Sequence, residues 1–230
     1  MRRGSGGQAA VLAAVALAVA VTTAQAAPDL TGVWQSSAPV GAVKTTDGGA
    51  PPLTADARAV YEAHRRAAAR GDYSFDGTVR CLPPGLPRLM LMHEPFEILQ
   101  RDRIVYFVYQ VNRLPRRAYL DEALPTDVDP HYLGYSVAHW DADTLVVDSA
   151  GFNDSTLLDN SGLPHSEALH LTERYRLSPD GRHLRLTYTV EDPATFTRPW
   201  SAQVEYTRLA HYRIPEEVCA ATPVDRRPRD

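Results

Sequence analysis

The sequence predicts an all-β fold: a single closed or nearly closed, mainly antiparallel barrel, with one helix and long loops. Three observations lead there. From Phe96 onward, short runs of Val, Ile, Leu, Tyr and Phe alternate with polar residues at period two, the pattern of half-buried strands. Short turn signals, among them "RD" at 101–102, "DAD" at 141–143 and "SPDG" at 178–181, join successive runs as hairpins. Only one segment has strong helical spacing, so the βαβ alternation of a parallel sheet is missing. A long series of hairpins leaves exposed edges unless the sheet curls onto itself, which favours a barrel; an open two-sheet sandwich is the alternative.

The elements follow in order. Arg2 and Arg3 precede the uncharged run "AAVLAAVALAVAVTTAQA", which ends in Ala-x-Ala at Ala24–Ala26. A basic start, a short apolar run and small residues at the end make residues 1–26 a secretory signal peptide, cut after Ala26. The apolar residues that should follow a twin-arginine pair at once are missing, so general secretion to the periplasm or medium is expected, with a retained anchor as the alternative. The rest reads as one domain over 27–225 and a frayed tail, 226–230. "PDLTGVWQ" is an opening strand with Trp34 as a core aromatic, and the Gly-, Pro- and Thr-rich stretch to Pro52 is a surface loop.

Next comes the helix. Thr54 is its N-cap, Asp56 lies in the first turn and Gly71 ends it, while Leu53, Ala57, Val60, Tyr61, His64 and Ala68 form one apolar stripe. His64, on that stripe, reads as a packed or hydrogen-bonded histidine rather than a ligand. "CLPPGLPRLMLMHEP" (81–95) holds prolines 83, 84, 87 and 95, which predicts a rigid extended loop. Strands then follow at "FEILQ", "RIVYFVYQVNR", "RRAYL", "YSVAHWD", "DTLVVDSAGF", "EALHLTERYRL", "RHLRLTYTV" and "SAQVEYTRL".

Composition narrows the function. The chain is 44% hydrophobic and 23% charged, with a net charge of −4. Removing Arg2 and Arg3 with the signal makes it about −6. A mildly acidic chain with scattered arginines and no aromatic-basic stripe argues against nucleic acid, and no later segment reads as a membrane span. Cys81 and Cys219 are the two cysteines, and in an exported chain they are expected to pair.

Candidate chemistry gathers in "LPHSEALHLTERYRL" (163–177). Alternation puts Glu173 among the apolar Leu169, Leu171, Tyr175 and Leu177. A carboxylate on an apolar face needs a partner such as arginine, or else serves as a tuned acid or base. His165 and His170 are five apart in loop and strand, a spacing that does not force them together. With Asp154, Asp159, His131 or Glu173 they could supply metal ligands, but the recognised zinc spacings are missing and no metal is expected.

The connection "GFNDSTLLDNSGLPHS" offers Asn153, Asp154 and Asp159, either functional or engaged in Asx-turns. "VNRLPRRAYLDEALP" offers Arg113, Arg116, Arg117, Tyr119 and Asp121, whose arginine forks suit an anionic ligand or the protein's own carboxylates. Nucleophile-elbow and phosphate-loop patterns fail, and no cofactor is expected.

"PDLTGVW", "CLPPGLPRLM", "FEILQ", "GYSVAHWDADTLVVDSAGFND", "LDNSGLPHSEALHLTERYRL" and "DPATFTRPW" together resemble a widespread family of exported bacterial proteins of uncharacterised activity. The resemblance covers nearly the whole mature chain. Members usually read Gly-Arg-Trp-Glu-Gly-Asp-Thr-Leu-Val-Val-Asp, so Ala138, His139, Asp141 and Ala142 are departures. The resemblance implies an all-β, lipocalin-like barrel and no particular reaction.

The expected function is that of an exported barrel binding a small, partly apolar molecule, with a polar patch in its cavity. That patch would hold His170, His165, Glu173 and Asp154 as reactive groups and Arg117, Tyr119, Asp121, His131 and Asn153 as ligand contacts. A cofactor-free acid–base enzyme (isomerase, lyase or hydrolase) using the same patch is the alternative. A metal-assisted enzyme or an envelope protein-interaction module ranks below both.

Overall fold

The computed structural model describes residues 27–38 and 40–219, so the expected signal peptide and the frayed tail lie outside the described residues. Nine strands close into one barrel: β1 (Gly32–Ser36), β2 (Phe96–Arg101), β3 (Ile104–Tyr109), β4 (Pro115–Leu120), β5 (Tyr135–Asp141), β6 (Thr144–Ala150), β7 (His170–Leu177), β8 (His183–Glu191) and β9 (Trp200–Arg208). Each is adjacent to its sequence neighbours, and β9 pairs with β1 to close the ring. Period-two alternation drives this arrangement: in β8, Leu184, Leu186, Tyr188 and Val190 are buried while Arg185 and Glu191 face water.

Nine strands in a ring cannot alternate direction throughout, since perfect alternation needs an even number. The odd pair is β4–β5, which runs parallel with Ala118 opposite Ser136, Tyr119 opposite Val137 and Leu120 opposite Ala138. A parallel neighbour needs a long return connection, and residues 121–134 supply it. The connection leaves β4 through Asp121, whose backbone is left-handed (φ +59°) and whose N–H donates to Ala138 O at 2.8 Å. It enters β5 through Gly134, where an added Cβ would lie 2.7 Å from Ala150 O, closer than a side chain tolerates.

Helix α1 (Ala55–Ala68) lies outside the barrel. Thr54 caps it, accepting from Ala57 N at 3.3 Å, and Gly71 takes a positive φ just past its end. His64 stacks on Phe75 with ring centroids 4.4 Å apart, and its Nδ1 lies 2.8 Å from Gly162 O. The apolar stripe is narrower than its spacing predicts, because Val60 is 45% exposed.

The proline-rich segment differs from the extended loop that its composition predicts. It contains one helical turn, α2 (Arg88–Leu91), which starts directly after Pro87, where the missing proline N–H removes no helical bond. Leu86, Leu89, Met90 and Leu91 are buried, and Tyr206 donates to Met90 O at 2.8 Å, so this turn packs onto the barrel core.

The sulfurs of Cys81 and Cys219 lie 2.11 Å apart, at disulfide distance, and close a sequence separation of 138. Among the described residues, no helix is long and apolar enough to cross a membrane.

Candidate functional site

The barrel interior is filled by inward side chains, among them Trp34, Ile98, Phe107, Leu145, Val147, Leu171 and Leu186, each fully or almost fully buried. Glu173 sits among them at 0% exposure, as the strand pattern predicts, and Arg116 is its partner. Arg116 Nη1 donates to Glu173 Oε2 at 2.8 Å and Nη2 donates to Oε1 at 2.6 Å, a bidentate fork. The guanidinium also donates to Ser136 Oγ (3.0 Å) and Ser149 Oγ (2.7 Å), and Tyr175 donates to Glu173 Oε2 at 2.6 Å.

Burial disfavours ionisation of Tyr109 and Tyr175 and pushes both phenols up, so they stay neutral. The Tyr109 hydroxyl has no partner in this cluster. Glu173 is therefore a satisfied structural carboxylate. Strand parity decides which arginine reaches it: on β4, Arg116 and Ala118 point inward while Arg117 points to solvent.

The other expected site residues lie apart from Glu173. His165 is buried in the 151–169 connection. Its Nδ1 lies 3.0 Å from Ser166 O, which can only accept, so Nδ1 carries the proton and Nε2 accepts from the Thr156 hydroxyl at 2.7 Å. Burial lowers its pKa and keeps it neutral. Ser166 in turn donates its N–H and hydroxyl to Asp192, both at 2.7 Å. His170 heads β7 on the outer face, half-buried, with Nε2 3.9 Å from Asp148 Oδ1.

Asp154 is exposed, and Asn153 Oδ1 accepts from Ser155 N at 3.2 Å in an Asx-turn. His131 is exposed and uses its backbone in a bridge to Phe152. Arg117 and Tyr119 share a small hollow of about 180 Å³ at the β4–β5 seam, where Tyr119 stacks on Tyr135 at 5.3 Å; Asp121 is exposed at the end of β4. The polar patch expected inside a barrel cavity is thus divided between the packed core, a buried loop and the outer surface. Packing is the reason: the inward positions are occupied by side chains large enough to fill the ring.

Space of ligand size lies outside the barrel wall. A cleft of about 370 Å³ runs between α1 and the strap 42–51. Its apolar surface comes from Val43, Leu53, Tyr61 and Leu163, and its charged rim from Lys44, Arg58, Arg65 and Glu62. Arg58, Tyr61, Glu62 and Arg65 share one helix face by their spacing of three, four and seven.

Asp159 fixes the two walls to each other. Its Oδ1 accepts from Ser161 N (2.9 Å), Ser161 Oγ (2.8 Å) and Leu163 N (3.2 Å), and its Oδ2 accepts from Val43 N in the strap at 2.9 Å. Tyr61 is held by a 2.7 Å hydrogen bond between its hydroxyl and Ser161 Oγ. A wider hollow of about 620 Å³ lies at the β7–β8 hairpin end, but its Arg176 and Arg185 are already paired with Asp143 (3.1 Å) and Glu205 (2.5 Å).

The sequence reading missed Lys44, Arg58 and Arg65. On α1 the arginines look like an ordinary solvated face, and only the distant strap turns that face into a wall. Compared with known families and curated proteins, the chain matches no family model and no curated sequence.

Proposed function

We propose that this protein is exported and binds a small, partly apolar molecule in the cleft between α1 and the strap. The observation that carries the reading is the cleft itself: about 370 Å³ of concave space with an apolar floor and a polar rim. Small-molecule sites have this size and composition. The connections that follow β6 and β8 support the role by holding both walls, through Asp159 for the strap and through the Thr54 N–H, which donates to Thr195 O at 2.9 Å, for the start of α1.

Export rests on the basic, apolar, Ala-x-Ala start and on a cysteine pair at disulfide distance. The family resemblance of the long motifs points the same way. Amino-terminal sequencing of protein recovered from the periplasm or medium tests this part; a mature chain starting at Ala27 is expected, and a cytosolic chain retaining Met1 would refute it.

The cleft is tested by filling it. Ala50 is exposed on the strap and lines the cleft, so Ala50→Trp places an indole in the space without disturbing the core. Titration with the uncharged fluorescent probe N-phenyl-1-naphthylamine should show saturable binding to the native chain and none to Ala50→Trp at unchanged Tm. Equal binding to both proteins would rule the cleft out.

A further inference from the structure

We infer that the molecule taken into this cleft is an organic anion, whose charged end is gripped by Arg58, Arg65 and Lys44 and whose apolar body lies along Tyr61, Leu53 and Leu163. The inference rests on the cleft reading above and adds the chemical class of the ligand.

The charges around the cleft do not cancel locally. Of the two carboxylates that line it among the described residues, Asp159 is 1% exposed and both of its oxygens are committed to four hydrogen-bond donors of the walls. Glu62 lies 3.6 Å from Arg66, an exposed residue that does not line the cleft. Among the described residues, Lys44, Arg58 and Arg65 have no carboxylate within 4.0 Å. Arg65 lies over the Tyr61 ring at 5.9 Å, a distance at which cation–π attraction orients the guanidinium without consuming its donors.

Three unpaired cations on a flat helix face would be an ordinary solvated surface. Here they rim a concave space with low-dielectric walls, where the field of like charges is focused rather than dissipated. The sign is also opposite to that of the whole chain, which carries −4. The other large hollow shows the contrast, because its arginines are neutralised by their own partners.

Two arginine forks beside a lysine suit a carboxylate, sulfonate or phosphate group, which can accept two parallel N–H bonds from each fork. The apolar surface beside them calls for a body of aromatic or aliphatic carbon. A free inorganic anion would leave that surface unused.

The test compares two probes of nearly the same shape: 8-anilino-1-naphthalenesulfonate, which is anionic, and the uncharged N-phenyl-1-naphthylamine. The native chain is expected to bind the sulfonate about tenfold tighter or more, since charge-assisted hydrogen bonds are worth at least that factor. The preference should shrink as salt rises. Arg58→Gln combined with Arg65→Gln should bring the sulfonate down to the affinity of the neutral probe and leave the neutral probe unchanged. Lys44→Glu, on the opposite wall, should move the sulfonate in the same direction.

Equal affinity for both probes, or a preference that survives all three substitutions, would overturn the anion inference while leaving the cleft reading intact. Retention of both probes by Ala50→Trp would instead overturn the cleft reading itself. Both arginines and the lysine are exposed, and native Tm in the variants confirms that the fold is kept.

Discussion

The barrel interior and the α1 cleft both contain arginine, carboxylate and tyrosine, yet they use them in opposite ways. Inside, Arg116 gives donors to Glu173, Ser136 and Ser149, and Glu173 accepts from Tyr175 as well. Outside, Arg58 and Arg65 face open space while the nearby Asp159 is spent on backbone and serine donors. A charge that is satisfied within the protein supports the fold; one that is left over in a concavity is available to a ligand. The residue types alone do not distinguish the two cases, whereas their partners do.

The largest expected effect comes from the crosslink at the edge of this comparison. The Cys81–Cys219 pair closes a loop with a sequence separation of 138 and joins the tail to the segment leading into α2. Loop-closure entropy for such a span gives about 5 kcal/mol as an upper guide. Cys81→Ser with Cys219→Ser, followed by urea denaturation, should show a large drop in the midpoint. A midpoint equal to that of the native protein would mean that the pair is unbonded in solution.

The interior pair comes next. Glu173→Gln leaves a buried guanidinium without its counter-charge and should cost about 3–5 kcal/mol by denaturant titration. Replacing both partners, Arg116→Met with Glu173→Leu, should recover much of that loss, because the desolvation of both charges is also removed. A double variant as unstable as the single one would indicate that Ser136, Ser149 and Tyr175 depend on the pair for their own hydrogen bonds.

A smaller effect of the same kind is expected at Asp76 and Arg88, which pair bidentately at 2.9 and 2.8 Å beside α2. Burial works against the charged form of Asp76, but hydrogen bonds from Arg88 and Thr78 outweigh it and hold the carboxyl below its ordinary value of 3.8. The stabilisation is therefore fully present above pH 3.8 and is lost as pH falls through the lower folded-state value. Asp76→Asn should cost about 3 kcal/mol near neutrality and flatten the acid limb of a stability–pH curve. An unchanged acid limb would count against the pair.

Much of the fold was legible in the sequence, and little of the cleft was. Alternation located strands because a ring with one buried face favours period two, as in "RHLRLTYTV"; it is blurred in "YSVAHWD", where Ser136, Val137 and Ala138 are all buried. It also placed Glu173 on an apolar face, with a pairing arginine or a tuned acid or base as the two explanations. The parallel β4–β5 pair was hidden, because the direction in which residues 121–134 return depends on how the ring closes and not on local composition. Arg116 could have been preferred over Arg117, since it shares strand parity with the inward Ala118. Lys44, Arg58 and Arg65 offered no local signal, because their meeting depends on a strap anchored through Asp159, far along the chain.

One turn residue sharpens the link between sequence and backbone. Ala142 has φ +53° in the β5–β6 hairpin, a left-handed backbone that favours glycine. A left-handed alanine is strained by about 1–3 kcal/mol. Glycine relieves that strain but gains unfolded-state entropy, so Ala142→Gly should stabilise by about 0.5–1 kcal/mol. A loss of stability on this substitution would show that the turn relaxes to negative φ in solution.

The smallest expected effect is the one that separates the two regions most cleanly. If the cleft arginines are held for a ligand, Arg58→Gln with Arg65→Gln removes no hydrogen bond that the folded chain makes among its described residues. The denaturant midpoint should stay where it is, because exposed side chains without partners contribute little to folding. Glu173→Gln, one atom's change inside the ring, should move the midpoint far more. A large loss of stability in the arginine variant would mean that these cations already have partners within the protein, and the contrast between a paired interior and an unpaired rim would fail at its weaker end.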